Sequence, residues 1–332
     1  MMIIGRKKDH LRICIERDVQ AGDTGLGRYR LIYRELPEID YDEIDTSTSF
    51  LGAQLKYPLI IEAMTGGSPE GGVINKCLAK LAQKYGLGFG VGSQRAAIED
   101  SSLNEYFQVR DVAPDIFLVA NLGAVQLNYG FGISECKKAV KMIKADALAL
   151  HVNPLQEAIQ PEGNRNFKNL IDKINKIASK LNKPLIVKAV GSGLTYNIAE
   201  KLQVSAFDTA GVGGTCWSII EGCRGGKSTR ELSEIFRGFG IPTAECIGTI
   251  THTDKPLIAS GGIRSGLDVA KTLSLGADVA GIALPLLKAY NREGEKGVIE
   301  HLERIFTELR ISMFLTGSNK IKELDGKIEF LG

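Results

Sequence analysis

The sequence predicts a TIM (β/α)8 barrel, and three observations carry that prediction. Eight short apolar runs recur along the chain, each followed by glycine or polar residues. The segments between them show the apolar periodicity of amphipathic helices. The early runs start roughly 30 residues apart, the length of one strand–helix–strand unit. Parallel strands covered on both faces read as near-continuous apolar runs, as these do. A doubly wound open sheet would instead show a Gly-x-Gly-x-x-Gly turn after an early strand. The stretch "GLGFGVG" has glycines at alternate positions, and no Walker-A lysine loop occurs.

In chain order, residues 1–57 precede the first strand and are expected to form an N-terminal extension, part lid and part barrel floor. Residues 58–332 should form the barrel. Its strands are expected at "PLIIEAM" from Pro58, "LGFGVG" from Leu87, "IFLVAN" from Ile116 and "ALALHV" from Ala147. The series continues with "PLIVKAV" from Pro184, "VSAFDTA" from Val204, "PLIASGG" from Pro256 and "VAGIAL" from Val279. Helical patterns lie between them in "VINKCLAKLAQKYG", "ECKKAVKMIKA", "LIDKINKIASKLNK" and "LDVAKTLSLG". The connection from Thr215 to about Lys255 is the longest, and is expected to hold an insertion after strand six plus the sixth helix. "GVIEHLERIFTELRISMFLTG" should be the eighth helix.

Bulk properties exclude several classes. Of 332 residues, 44% are hydrophobic, enough for a full core. The net charge is +2 with both signs interspersed, which argues against a nucleic-acid partner. No apolar run reaches the roughly 20 residues of a membrane span, and "MMIIGRKKDH" lacks the apolar core of a secretory signal. These features predict a soluble, cytoplasmic protein. Cys14, Cys77, Cys136, Cys216, Cys223 and Cys246 form no C-x-x-C pair and have no histidine at zinc-ligand spacing, so reduced, mostly buried thiols are expected. Any histidine catalysis is limited to His10, His151, His252 or His301.

In such a barrel, chemistry gathers at the C-terminal strand ends. Read in turn, these ends carry Met64-Thr65-Gly66-Gly67, Ser93-Gln94-Arg95, Asn121, His151 to Glu157, Lys188, Asp208 to Gly211, Ser260-Gly261-Gly262 and Ala283. The glycines after strand seven, with a helix beginning near Ser265, suit a phosphate: backbone N–H groups can approach an anion and a helix N-terminus adds positive potential. The competing reading is a tight turn with a helix cap. Lys188 would put a cation beside a flavin's N1–C2 edge, or it is simply a buried lysine paired with Asp208 or Glu62. With "AMTGG" adding amides and a hydroxyl, FMN is favoured over a bare phosphate metabolite.

These segments together resemble the type II isopentenyl diphosphate isomerases, which are FMN-dependent barrels. The resemblance runs through "RKKDH" at Arg6–His10, "AMTGG" at 63–67, "GSQR" at 92–95, "ANLG" at 120–123 and "HVNPLQEAIQPEG" at 151–163. It continues through Lys188, "DTAGVGGTCW" at 208–217 with Glu221, and "SGGIRSG" at 260–266. It implies conversion of isopentenyl diphosphate to dimethylallyl diphosphate by a homo-tetramer or octamer using Mg2+ and reduced FMN, with NADPH as reductant. The implied cofactor contacts are Ala63, Met64, Thr65, Ser93, Asn121, Lys188, Thr209, Thr215, Gly261, Gly262, Ile263, Ala283 and Leu284. The implied metal ligand is Glu157. Substrate contacts would be Arg6, Lys7, His10, Ser93, Gln94, Arg95, His151, Asn153 and Gln156.

Each role has a physical reason. A diphosphate beside a reduced, anionic flavin is repulsive in a water-poor pocket, and Mg2+ held by one carboxylate relieves it. His151 and Asn153 would hold the metal's waters or the phosphates, and Gln156 would lie over the hydrocarbon. Taken alone, the basic N-terminus reads as a solvated tail; the resemblance makes it a segment folding over the mouth, in cis or across a subunit boundary, when diphosphate binds. Trp217, the only tryptophan, is either core or a shield for positive charge on the tertiary carbon. Glu221, on the same helical face, is either a surface carboxylate or a proton relay. With Gln156, these two form the expected catalytic set. No Ser–His–Asp or Cys–His arrangement is evident and an amide does not titrate near neutrality, so reduced FMN is expected to carry the proton through N5 or N1.

Three rivals stand beside this expectation. An FMN-dependent 2-hydroxy-acid oxidase or dehydrogenase would want a histidine base, and "TAGVGGTCW" offers none. A purine-nucleotide dehydrogenase barrel would want an activated cysteine, and Cys216 is followed by Trp217. A non-catalytic flavin sensor would not need so many charges beyond the cofactor's own.

Overall fold

Eight parallel strands close on themselves in chain order. They are β1 (Leu59–Ile61), β2 (Gly88–Gly90), β3 (Leu118–Gly123), β4 (Ala147–Val152), β5 (Leu185–Ala189), β6 (Ala206–Asp208), β7 (Leu257–Ala259) and β8 (Val279–Ile282). β8 pairs back onto β1 with Ala280 opposite Leu59, which completes the barrel. The structure is a computed structural model and describes residues 2–332, with side chains from Gly5 onward. Seven of the eight predicted runs contain their strand whole; the third strand starts within "IFLVAN" and extends two residues past it, to Gly123.

The helices are α1 (Met2–Glu16), α2 (Pro69–Tyr85), α3 (Arg95–Glu99), α4 (Ile133–Ile143), α5 (Pro154–Ile159) and α6 (Leu170–Ala178). They continue with α7 (Tyr196–Ala199), α8 (Trp217–Arg224), α9 (Lys227–Ile235), α10 (Thr243–Ile250), α11 (Gly266–Ser274) and α12 (Leu284–Leu315). Local chemistry fixes their ends. Ser68 caps α2 by accepting from the Gly71 amide, Pro69 fills its first turn, and Gly86 ends it at φ 64°. Ser265 and Asp268 form a reciprocal capping box on α11. The long connection after β6 holds α8, α9 and α10. The last helix differs from expectation, since it starts at Leu284 directly after β8 and runs through a break at Glu293 and Gly294. A glycine at φ 61° interrupts the periodicity, so only the part beyond it read as helix.

Residues 1–57 serve both ends of the barrel. α1 packs against α8 and α12. Thr48–Phe50 and Ala53–Leu55 form an antiparallel hairpin, with Leu51 and Gly52 both at positive φ, the two-residue turn that matches strand twist. Phe50 and Leu55 of this hairpin cluster with Ile60, Phe117, Val119, Ala149, Ile186 and Ile258. That apolar layer is the barrel floor. A separate ladder joins Tyr29–Leu31 to Ile328–Phe330 and ties the chain's two ends together.

Candidate functional site

Strand alternation builds the site from the floor upward. Side chains two residues apart share a face, so the residues one inward step above the apolar layer also point inward. Those above Ile60, Val119, Ala149, Ile186, Ala206 and Ile258 are Glu62, Asn121, His151, Lys188, Asp208 and Ser260. The barrel interior therefore changes from apolar to polar within a single step. One cavity opens on this layer and is lined from all eight strand ends and from α1.

The phosphate side of the cavity comes from glycine loops. Gly261 and Gly262 follow β7 at φ +101° and +82°, and a Cβ on either would collide with the backbone of the β6 loop at Gly211 or Gly213. The expected helix beginning at Ser265 is not the open one. The amides of Arg264 and Ser265 donate to Asp268 at 3.0 and 3.1 Å, and the Gly266 amide donates to Glu308 at 2.6 Å. The start of α12 has no side-chain cap, and Ala283, Leu284 and Pro285 line the cavity. Positive potential for an anion thus comes from the glycine turn after β7 and the helix after β8.

Opposite lies a network of polar side chains. Glu221 of α8 is fully buried. It accepts from His10 Nε2 and from Gln156 Nε2, each at 2.8 Å, and is paired with Arg224. Burial alone would raise its pKa, but the His10 and Gln156 bonds and Arg224 hold it below its ordinary value. Burial also lowers His10 despite Glu221, so a neutral imidazole donates to an ionised carboxylate. Trp217 meets the His10 ring edge-on at 5.2 Å between centroids. With its amide oriented to satisfy both neighbours, Gln160 donates to Glu221 at 3.2 Å and accepts from Arg6 at 3.0 Å.

The third part of the site gathers acceptors. His151 Nδ1 lies 2.8 Å from Asn121 Oδ1; a carbonyl oxygen can only accept, so the proton sits on Nδ1 and Nε2 keeps its lone pair. Burial, reinforced by Lys7 and Lys188, pushes His151 down to about 3. Asn153 Nδ2 donates to Gln156 at 3.0 Å and Glu157 at 3.1 Å, leaving its Oδ1 buried without a partner. Glu157, 7% exposed, also accepts from the Asn164 amide at 2.6 Å. An orphaned oxygen, a carboxylate and an imidazole lone pair are the donor set of a cation. No group of three His, Cys, Asp or Glu among the described residues forms a metal cage, so a metal here would need further ligands from substrate and water.

Most expected site residues reach the cavity: Arg6, Lys7, His10, Ala63, Met64, Ser93, Arg95, Asn121, His151, Asn153, Gln156, Glu157, Lys188, Thr215, Trp217, Gly261, Gly262, Ile263, Ala283 and Leu284 all line it. Lys7 reaches the Ser93 carbonyl at 3.4 Å and is lowered to about 8 by burial and Arg6. Four expected site residues do not line it with the rest. Gln94 is fully buried and clips β3 to α4, accepting from the Asn121 amide and donating to the Ala139 carbonyl. The Thr209 hydroxyl donates to the Ser260 carbonyl at 2.8 Å. Thr65 is bonded to Asn75 and faces a smaller adjoining pocket. Each hydroxyl or amide is spent on the framework. The fourth, Glu221, is not a surface carboxylate either: it is fully buried behind the lining residues His10 and Gln156, to which it is hydrogen-bonded. The sequence assigned no role to Gln160, to Arg224 and its partner Glu162, or to Gln126, which lines the cavity. Gln160 follows Gln156 by four residues, and that spacing was its one available signal.

This geometry is that of a flavoenzyme barrel, and residues 137–329 match the family model of the FMN-dependent dehydrogenases. Solved structures share the fold. They include mandelate oxidase with (S)-2-phenylpropionate (TM-score 0.68, 18% identity, 99% of this chain and 96% of that one). Another is a flavocytochrome b2 variant with sulfite bound (TM-score 0.72, 20% identity, 97% and 83%). Nearer relatives narrow the class. The chain is 50% identical to the isopentenyl-diphosphate delta-isomerase of Nostoc sp., over 96% of this chain and 93% of that one. It is 46% identical to that of Methanoregula boonei (96% and 91%) and 44% identical to that of Rickettsia felis (97% and 95%). The chain belongs to the isopentenyl-diphosphate delta-isomerase family.

Proposed function

We propose that this enzyme converts isopentenyl diphosphate to dimethylallyl diphosphate with reduced FMN and Mg2+. The observation that carries the proposal is the meeting, at one mouth, of an anion cradle, a cluster of cation acceptors and a basic lid helix. Gly261, Gly262 and the start of α12 fit the FMN phosphate, with Ala63, Met64, Ser93, Asn121, Lys188, Thr215 and Ile263 along the rest of the cofactor. Glu157, the free oxygen of Asn153 and the lone pair of His151 fit a hydrated Mg2+. His151 would accept from the metal's water and not donate to phosphate, since its free nitrogen carries no proton. Arg6, Lys7, His10 and Arg95 would take the diphosphate oxygens.

Isomerisation requires a proton added at one carbon and another removed two carbons away. When bound, reduced FMN would supply the group that exchanges that proton. Glu221 would hold Gln156 and His10 in fixed orientation over the hydrocarbon, and Trp217 would shield positive charge building on the tertiary carbon. α1, laid across the mouth, would exclude water. NADPH as reductant and assembly into a tetramer or octamer belong to the same proposal. The oxidase reading finds no support at the mouth, where burial pushes His151 down to about 3, too weak a base to take a substrate proton, and His10 is committed to Glu221.

The test is direct. Purified protein is loaded with FMN, reduced anaerobically with NADPH or dithionite, and given Mg2+ and isopentenyl diphosphate. Dimethylallyl diphosphate should form over many turnovers with no net oxidation of the flavin, and chelation by EDTA should stop it. Oxidation of a 2-hydroxy acid without isomerisation would replace this reading with the oxidase.

A further inference from the structure

Glu62 lines the cavity but has no part in the reading above. It stands at the C-terminal end of β1, facing inward one step above Ile60. In the closed strand order β1 and β5 lie across the barrel from each other, yet the Glu62 carboxylate reaches to 2.9 Å from Lys188 Nζ on β5. Lys188 also pairs with Asp208 of β6 and lies 3.4 Å from Ser260 Oγ of β7. Ser260 in turn donates to Asp208 at 2.5 Å. Space for this crossing comes from Gly281 on β8, where a Cβ would lie 2.7 Å from Glu62 Cγ.

Relative exposures are 8% for Glu62, 9% for Lys188 and 1% for Asp208. One ammonium is therefore shared by two carboxylates from opposite walls, in surroundings that screen charge poorly. The group carries −1 with both carboxylates ionised and 0 with Glu62 protonated. Burial, then the nearby Asp208, raise Glu62 to about 7, and Lys188 offsets only part of this. The charged groups facing Glu62 are Lys188 from β5 and Asp208 from β6. On β8 it packs beside Gly281, which is uncharged and has Ser260 as its other neighbour, and just past β1 the Ala63 amide donates to it at 3.3 Å.

We propose that Glu62 is a positioning residue that sets the charge Lys188 presents to the cofactor, taking up a solvent proton when the bound flavin is reduced. A negative charge arriving on the ring is then matched by one lost from the protein beside it. The proposal rests on FMN occupying this cavity, and it concerns the residue that tunes the site, not the reaction carried out there.

The experiment is a spectroelectrochemical titration of the FMN-loaded protein across a pH range centred on about 7. The flavin midpoint potential should fall with rising pH more steeply in that range than on either side, reporting one extra proton taken up on reduction. Glu62→Gln keeps the shape and deletes the charge. It should remove the extra step and raise the potential at the alkaline end, because the cation is no longer shared with a second carboxylate. A merely structural Glu62 would alter flavin retention or melting temperature and leave the pH profile as it was. A Glu62→Gln profile matching the unsubstituted one overturns the proposal. Should the variant fail to retain flavin, an unsubstituted profile with no extra step near neutrality overturns it equally. A chain that takes up no FMN at all sinks the flavin reading together with this proposal, whereas FMN uptake with an unbroken profile sinks this proposal alone.

Discussion

Single residues at the mouth are held by partners, not by solvent, and their titration follows from that. At His151, burial favours the neutral imidazole in the folded state, at about 3 against an ordinary 6.5. Between those values the unfolded chain binds more protons than the folded one, so stability rises with pH across the window and is lost as the solution is acidified through it. Melting temperature should therefore fall steadily from neutral pH toward pH 4, and less so in His151→Gln. Glu221 is the other decisive residue. Each hydrogen bond to a charged group contributes about 1.5–3 kcal/mol, and His10, Gln156 and Arg224 all depend on this carboxylate. Glu221→Gln should lower kcat roughly 10- to 100-fold with unchanged flavin content, as read by steady-state turnover.

At the scale of elements, the proposed function assigns the substrate to α1 and the cofactor to the β7 loop. α1 is latched over the mouth from several sides. Glu162 lies 2.7 Å from Arg224 and 3.9 Å from Arg6, and just beyond the helix Gln20 holds Arg264 at 2.9 Å. Replacing both Arg6 and Lys7 with Ala should raise KM for the diphosphate by about 10-fold or more, the weight of one lost charge-assisted contact. Bound FMN per chain should not change. The reverse should hold for Gly261→Ala. At φ +101° a side chain is strained, and its Cβ would run into the Gly211 backbone. Strain of about 1–2 kcal/mol plus that clash should strip flavin from the protein, measured as cofactor content after gel filtration.

Across the whole molecule, stability and chemistry sit at opposite ends of the barrel. The floor hairpin places Phe50 against Phe117 at 5.8 Å between ring centroids, within the apolar layer beneath the polar strand ends. Phe50→Ala should cost ~3–5 kcal/mol of stability, seen in urea denaturation, while kcat of the protein that remains folded stays near its original value. A loss of activity without loss of stability would contradict this division.

Much of this was legible in the chain. The eight apolar runs gave the barrel because strands buried on both faces need them, and the glycine and polar strand ends gave the mouth because that is where closed parallel sheets expose backbone. Periodicity misplaced the start of α12, since the break at Glu293 and Gly294 hides continuity that depends on packing against α11. Gln94, Thr65 and Thr209 sat in the right segments but turn their polar groups to the framework, and spacing along a chain does not report where a side chain finds its partner. The residue order alone determined the architecture, the glycine cradle and the segments that meet at one rim. The tertiary structure alone decided which carboxylate is ionised, which helix start is left open, and that Glu62 crosses the barrel to Lys188, because charge balance and hydrogen-bond satisfaction arise between residues far apart in the chain and close together in space.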